Sequence, residues 1–128
     1  MHEIIYIAIA GGLGALGRYY MTGLAQKLFG TGFPYGTLAV NLVGSFLLGL
    51  AMQISMSTDL IPRNLRTAFT LGFLGAFTTF STFSYETFGY IENGAWLTAG
   101  GNILTNVVLG IVAAFLGILL GRVLVGVS

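Results

Sequence analysis

Four long hydrophobic stretches follow one another along the chain, and short polar segments separate them. The stretches lie near residues 4–28, 36–57, 65–89 and 96–121. An α-helix needs roughly 20 apolar residues to cross the hydrocarbon core of a bilayer, which is about 30 Å thick. Each stretch meets that length, so the pattern predicts an all-α membrane protein with four transmembrane helices.

The segments between the stretches are short and carry residues that end helices. Glycine, proline and small polar residues mark turns because they favour backbone conformations that a helix does not use. The short breaks indicate one domain over residues 1–128. They contain Lys27, Gly30, Gly32 and Pro34, then Ser57, Asp59, Pro62, Arg63 and Asn64, then Glu92, Asn93 and Gly94.

Small residues repeat within the hydrophobic stretches and predict close helix packing. Transmembrane helices approach one another where glycine, alanine or serine leaves the helix surface bare. Most of these glycines are therefore interpreted as packing positions rather than as binding positions. They are Gly11, Gly12, Gly14, Ala15 and Gly17 in the first stretch, Gly44, Ser45 and Gly49 in the second, and Gly110, Ala113, Ala114 and Gly117 in the fourth.

Composition excludes most soluble classes of protein. The chain is 55% hydrophobic and 7% charged, with a mean hydropathy of +0.90, too apolar to coat a water-soluble globule. It has no cysteine, one histidine at position 2 and a net charge of +1, which argues against thiolate metal sites, histidine-based catalysis and nucleic-acid binding. The first stretch lacks a cleavage site and is interpreted as a retained span. No nucleotide-binding loop is present.

The distribution of positive charge gives only a weak orientation signal. An even number of spans puts both termini on one side of the membrane. With the N-terminus inside, Arg63, Arg66 and Arg122 lie inside, Lys27 lies outside and Arg18 is ambiguous. So small a bias permits insertion in both orientations, which makes an antiparallel homodimer feasible.

A polar and aromatic run interrupts the third stretch. The run from Gly75 to Ser84 reads GAFTTFSTFS and holds five hydroxyls and three phenyl rings. Serine and threonine compete for backbone hydrogen bonds, so the run favours a helix break whose freed carbonyl groups need a partner such as a cation. Beyond the break, Phe80, Phe83, Ser84 and Thr87 share one helix face. Hydroxyls and ring edges can solvate an anion, although aromatic residues at this spacing also serve simple packing.

Polar amides occur at membrane depth in two other spans. Asn41 and Ser45 lie one turn apart in the second span, where they act either as donors to an anion or as a helix-to-helix hydrogen bond. Asn102 and Asn106 lie one turn apart in the fourth span and are open to the same two interpretations.

Two ionisable residues lie late in their spans. Arg18 is expected either to anchor the structure or to attract anions into a vestibule. Glu86 would repel an anion and is expected to face away from an anion path.

Three segments together resemble the Fluc, or CrcB, family of fluoride channels. They are GGLGALGRY at residues 11–19, GTLAVNLVGSF at 36–46 and GAFTTFSTF at 75–83. The resemblance implies a multi-pass protein of the cell (inner or plasma) membrane that exports fluoride passively and so relieves fluoride toxicity. It also implies an antiparallel, dual-topology homodimer with two pores, and a structural sodium ion on the dimer axis.

The same resemblance assigns roles to individual residues. It implies that backbone carbonyl groups from Gly75 through Thr78 bind the sodium ion and that Asn41, Phe80 and Phe83 line the fluoride pore. Its polar track would take in Ser81, Thr82 and Ser84. Family members that carry a tyrosine along the pore in the last helix differ from this chain, which has no tyrosine between residues 96 and 122.

Two other classes of protein remain as alternatives. A proton-coupled exporter of the small multidrug-resistance type needs a titratable carboxylate in mid-membrane, whereas Glu3 starts the first span and Glu86 lies towards the end of the third. An accessory subunit that transports nothing would leave the hydroxyl and phenylalanine run without a purpose.

Overall fold

The computed structural model describes residues 2–126, and the secondary structure it contains is helical. The third hydrophobic stretch is divided into two helices. The helices in chain order are α1 (His2–Phe29), α2 (Tyr35–Ser57), α3 (residues 63–77), α4 (Phe80–Glu92) and α5 (Trp96–Val125). Segments of α3 (Ala68–Leu74) and of α5 (Thr105–Leu109) are wound as π-helix.

Three of the helices, α1, α2 and α5, are long and apolar enough to cross a membrane. The predicted third span is formed by α3 and α4 together, and neither piece is a candidate span by itself. Large apolar side chains cover the outside of the long helices, and Ile4, Leu97 and Val123 are each more than half exposed. Such a surface suits lipid and not water.

The predicted break in the third span is confirmed, and it falls at Thr78 and Thr79, at the end of the segment from Gly75 to Thr78 that the resemblance indicated. Gly75 is still helical, with φ −61° and ψ −37°, whereas Thr78 (φ −86°, ψ 161°) and Thr79 (φ −150°, ψ 113°) are extended. Thr79 then caps α4, because its hydroxyl accepts the N–H of Thr82 at 3.1 Å. The break therefore falls where a threonine hydroxyl replaces the helical acceptor.

The predicted close packing of small residues is also confirmed at several positions. A Cβ atom on Gly14 of α1 would overlap the backbone of Phe73 in α3. Along the pair α2 and α5, a Cβ on Gly49 would overlap the Ala114 carbonyl, and one on Gly117 would overlap the Phe46 carbonyl. These backbones approach so closely that only glycine fits, which fixes α2 against α5 and α1 against α3.

Candidate functional site

The break between α3 and α4 is held by Asn41, which lies on α2. Its Oδ1 accepts the backbone N–H of Thr79 at 2.8 Å, and its Nδ2 donates to the carbonyl of Thr79 at 3.2 Å. Nδ2 also donates to Oδ1 of Asn106 at 2.9 Å. The Asn41 carboxamide thus satisfies the Thr79 N–H, which has no helical acceptor at the break, and adds a donor to the carbonyl of the residue that caps α4. Of the two interpretations of Asn41, the helix-to-helix hydrogen bond is present in the structure.

This pairing and the Thr79 cap each take the usual hydrogen-bond donor away from one carbonyl group at the break. In a continuous α-helix the carbonyl of residue 75 would accept from N–H 79, and that of residue 78 from N–H 82. Here N–H 79 donates to Asn41 and N–H 82 donates to the Thr79 hydroxyl. The carbonyl groups of Gly75 and Thr78 therefore lack the N–H donors that a continuous helix would give them.

Three of the predicted pore residues line one cavity. The cavity has a volume of about 330 Å³ and is walled by Asn41, Phe80 and Phe83, with Gly75 and Thr78 at the break. Asn106 and Ser45 contribute to the same wall. A carboxamide, two phenyl rings and the backbone of the helix break thus line the same cavity.

The two phenyl rings of this cavity differ in exposure. Their centroids are 5.6 Å apart and their planes are tilted by 56°. Phe83 is 9% exposed and Phe80 is 78% exposed in the single chain. The helix face predicted to hold Phe80, Phe83, Ser84 and Thr87 is therefore split, with Phe83 and Thr87 turned inward and Phe80 and Ser84 outward.

The structure distributes the three predicted hydroxyls over different surroundings. The Ser84 hydroxyl donates to the carbonyl of Phe80 at 3.0 Å and is exposed. Ser81 is exposed, with its hydroxyl 3.4 Å from that of Thr79. The Thr82 hydroxyl accepts from Thr79 at 3.0 Å, which leaves its own hydrogen for another acceptor. Thr82 lines a second cavity and is not in the wall of the first.

Arg18 and Glu86, the two ionisable residues that lie late in their spans, both line a second cavity. It is larger, about 870 Å³, and its wall includes Arg18, Lys27, Thr82 and Glu86. Oε1 of Glu86 is buried there without a hydrogen-bond partner among the described residues. Thr79 borders both cavities, so the break is the structural element that the two spaces share.

The amino-acid sequence leaves the roles of Asn102 and Asn106 open, and it gives Thr87 only a place on a helix face. Asn106 joins Asn41 to Asn102, and Asn102 donates to the Thr87 hydroxyl at 2.9 Å. The spacing of the two asparagines, one turn apart in α5, is the sequence feature that indicates a hydrogen bond between them. Beyond the bonds between these two asparagines, their partners Asn41 and Thr87 lie on other helices, and no local sequence pattern identifies them.

Fold and site together define a multi-pass helical membrane protein with a polar cavity at a break in its third span. Comparison with known proteins then gives the family. The profile of the family described as "CrcB-like protein, Camphor Resistance (CrcB)" matches residues 5–118. The chain therefore belongs to the CrcB family, as its three motifs predicted.

Its relatives carry the name "Fluoride-specific ion channel FluC". The proteins from Geobacter sp. (strain M21) and Citrifermentans bemidjiense are each 52% identical over 124 residues, covering 97% of this chain and all of the relative. A protein from Dehalococcoides mccartyi is 50% identical over 97% of this chain and 95% of its own length.

Proposed function

We propose that this chain is the subunit of a fluoride-selective ion channel through which fluoride leaves the cell passively. The observation that carries the proposal is the single cavity walled by Asn41, Phe80 and Phe83 beside the helix break. The identity of the anion is inferred from the relatives, which are named as fluoride-specific channels and align over nearly the whole chain.

The two cavities suggest a path for the anion. Fluoride enters the larger cavity, where the two positive charges of Arg18 and Lys27 outnumber the one negative charge of Glu86. Glu86 therefore lines this proposed path, contrary to the expectation that it faces away from it. Thr82 donates there through its free hydroxyl hydrogen, and Ser81 and Ser84 extend the polar track along α4. The rings of Phe80 and Phe83 then present their positive edges in the smaller cavity. A narrow path of strong donors favours the small fluoride ion over chloride.

Asn41 can bind fluoride only if it gives up one of the hydrogen bonds that it makes in this structure. Both Nδ2 hydrogens are engaged, one on the carbonyl of Thr79 at 3.2 Å and one on Oδ1 of Asn106 at 2.9 Å. A fluoride ion at Asn41 must therefore replace one of these acceptors. The longer bond to Thr79 is the weaker one, so we expect exchange there first.

The conducting unit in this proposal is an antiparallel homodimer with two pores. Phe80 is 78% exposed on the single chain although it lines the cavity, which supports a second subunit that completes the wall. The weak charge bias allows both orientations in one membrane. The carbonyl groups of Gly75 and Thr78 would hold a sodium ion between the two subunits, and that ion would neutralise the carbonyl dipoles at the breaks.

Fluoride efflux from liposomes that contain only the purified protein tests the proposal, with chloride efflux as its control. Rapid passive fluoride loss with negligible chloride loss is the expected result. Folded protein that releases no fluoride contradicts the channel. Flux that requires a proton gradient and disappears in Glu86→Gln would instead identify a proton-coupled exporter.

A second experiment tests the orientation of the subunits. A single cysteine at Ser57, placed in this cysteine-free chain, is labelled in intact vesicles with a reagent that does not cross the membrane. Labelling of about half of the protein is expected for dual topology. Labelling of all of it or none of it contradicts an antiparallel dimer.

A further inference from the structure

A continuous chain of hydrogen bonds links the two cavity-lining asparagines to a buried threonine on α4. Asn106 Nδ2 donates to Oδ1 of Asn102 at 2.9 Å, and Asn102 Nδ2 donates to the Thr87 hydroxyl at 2.9 Å. The Thr87 hydroxyl donates in turn to the carbonyl of Phe83 at 2.8 Å. With the bond from Asn41 to Asn106, four side chains from three helices form one relay.

The two members of the relay farthest from Asn41 are buried. Asn102 is 0% exposed and Thr87 is 8% exposed. Neither is in the wall of the two cavities described above, whereas Asn41 and Asn106 both line the smaller one. Asn102 and Thr87 therefore act on the cavity only through their neighbours.

The relay permits only one orientation of each carboxamide. The Thr87 hydroxyl gives its hydrogen to a carbonyl, so it can only accept from Asn102, and Asn102 must turn Nδ2 towards it. That leaves Oδ1 of Asn102 for Nδ2 of Asn106, and Oδ1 of Asn106 for Nδ2 of Asn41. Both ends of the relay are fixed by backbone groups of the broken span, the N–H of Thr79 and the carbonyl of Phe83.

We propose that Asn102 and Thr87 are positioning residues that set fluoride selectivity from outside the cavity. They hold the carboxamide of Asn106, and through it that of Asn41, in the orientation that faces Phe80 and Phe83. Nδ2 of Asn106 also donates to the backbone carbonyl of Asn102 at 2.9 Å, so the group that Thr87 keeps from turning over is the Asn102 carboxamide. Without Thr87 that carboxamide can oppose Nδ2 of Asn106 donor to donor, which pushes Asn106 away from its position beside Asn41. This inference rests on the proposed channel function and adds a determinant of its selectivity.

The test removes the hydroxyl of Thr87 while keeping its shape. Thr87→Val is compared with Thr87→Ser, which retains the hydroxyl, in liposomes loaded with fluoride or chloride. Loss of one buried hydrogen bond predicts roughly a tenfold fall in the ratio of fluoride to chloride efflux in Thr87→Val. Thr87→Ser should keep the ratio of the unchanged protein.

Thr105→Val is the matched control. The Thr105 hydroxyl bonds only to carbonyl groups of its own helix, those of Gly101 at 2.7 Å and Asn102 at 3.3 Å. The same change of chemistry removes none of the side-chain hydrogen bonds of the relay, so it should leave the efflux ratio unchanged. Size-exclusion chromatography of all variants shows whether the folded particle is intact.

Three outcomes overturn the inference. The efflux ratio of Thr87→Val equals that of the unchanged protein, or Thr87→Ser fails to restore it, or Thr105→Val lowers it equally. If Thr87→Val does not fold, the ratio for Asn102→Asp decides, because aspartate keeps the shape but cannot donate to Thr87. An unchanged ratio in that variant overturns the inference. Absence of fluoride efflux from the unchanged protein contradicts the proposed function instead.

Discussion

The carboxamide of Asn41 pairs with both backbone groups of Thr79, accepting its N–H at 2.8 Å and donating to its carbonyl at 3.2 Å. The two residues are 38 positions apart and lie on α2 and at the helix break. The side chain thus replaces the helical acceptor of a backbone N–H at the break. It places a carboxamide, two phenyl rings and freed carbonyl groups within one cavity.

We expect Asn41→Asp to cut fluoride efflux more than about tenfold, because a carboxylate puts negative charge on the path and cannot donate to Thr79 or Asn106. Efflux from liposomes measures the effect. Gln53→Glu is the matched control, since Gln53 lies on the same helix and bonds to Ser57 outside both cavities. Normal conduction in Asn41→Asp would leave Asn41 with a packing role only.

We expect Phe80→Leu to abolish fluoride efflux while the protein stays folded and dimeric, because leucine keeps the apolar surface but lacks the ring quadrupole. Phe88→Leu on the same helix is the control, because Phe88 is also exposed but lines neither cavity. Efflux is compared at equal amounts of reconstituted protein. Undiminished efflux from Phe80→Leu would remove the ring edge from the mechanism.

We expect Gly44→Ala to destabilise the protein by about 1–3 kcal/mol, because its new Cβ would overlap Cγ2 of Thr78 at the break. Thr78→Ser removes that methyl group and keeps the hydroxyl that donates to the Leu74 carbonyl at 3.0 Å. The double variant should recover most of the lost stability, as measured by thermal unfolding. Purely additive effects would show that the two residues do not meet at this contact.

We expect sodium, and not potassium, to stabilise the folded dimer if the carbonyl groups of Gly75 and Thr78 bind it. A ligand at a hundred times its Kd adds about 2.7 kcal/mol to stability. Thermal unfolding is followed while sodium replaces potassium at constant ionic strength. Equal unfolding temperatures in the two salts would argue against a sodium site at the break.

The sequence by itself determined the class of protein and most of its helices. Hydropathy is a local property, so spans predicted at 4–28, 36–57 and 96–121 correspond to α1, α2 and α5. The threonine-rich run also predicted the break, because hydroxyl groups compete for the backbone hydrogen bonds of residues only a few positions away. The exact position of the break depends on the Thr79 hydroxyl, which accepts the N–H of Thr82 and caps α4.

Tertiary structure decided how the polar residues are connected. The bond from Asn41 to Asn106 joins residues 65 positions apart, and that from Asn102 to Thr87 crosses between helices. Helical periodicity cannot identify such partners, and the π-helical turn at Thr105–Leu109 also shifts the face on which Asn106 lies. Hydropathy and capping depend on neighbours in the chain, whereas these pairings depend on how closely the glycine faces let the helices approach.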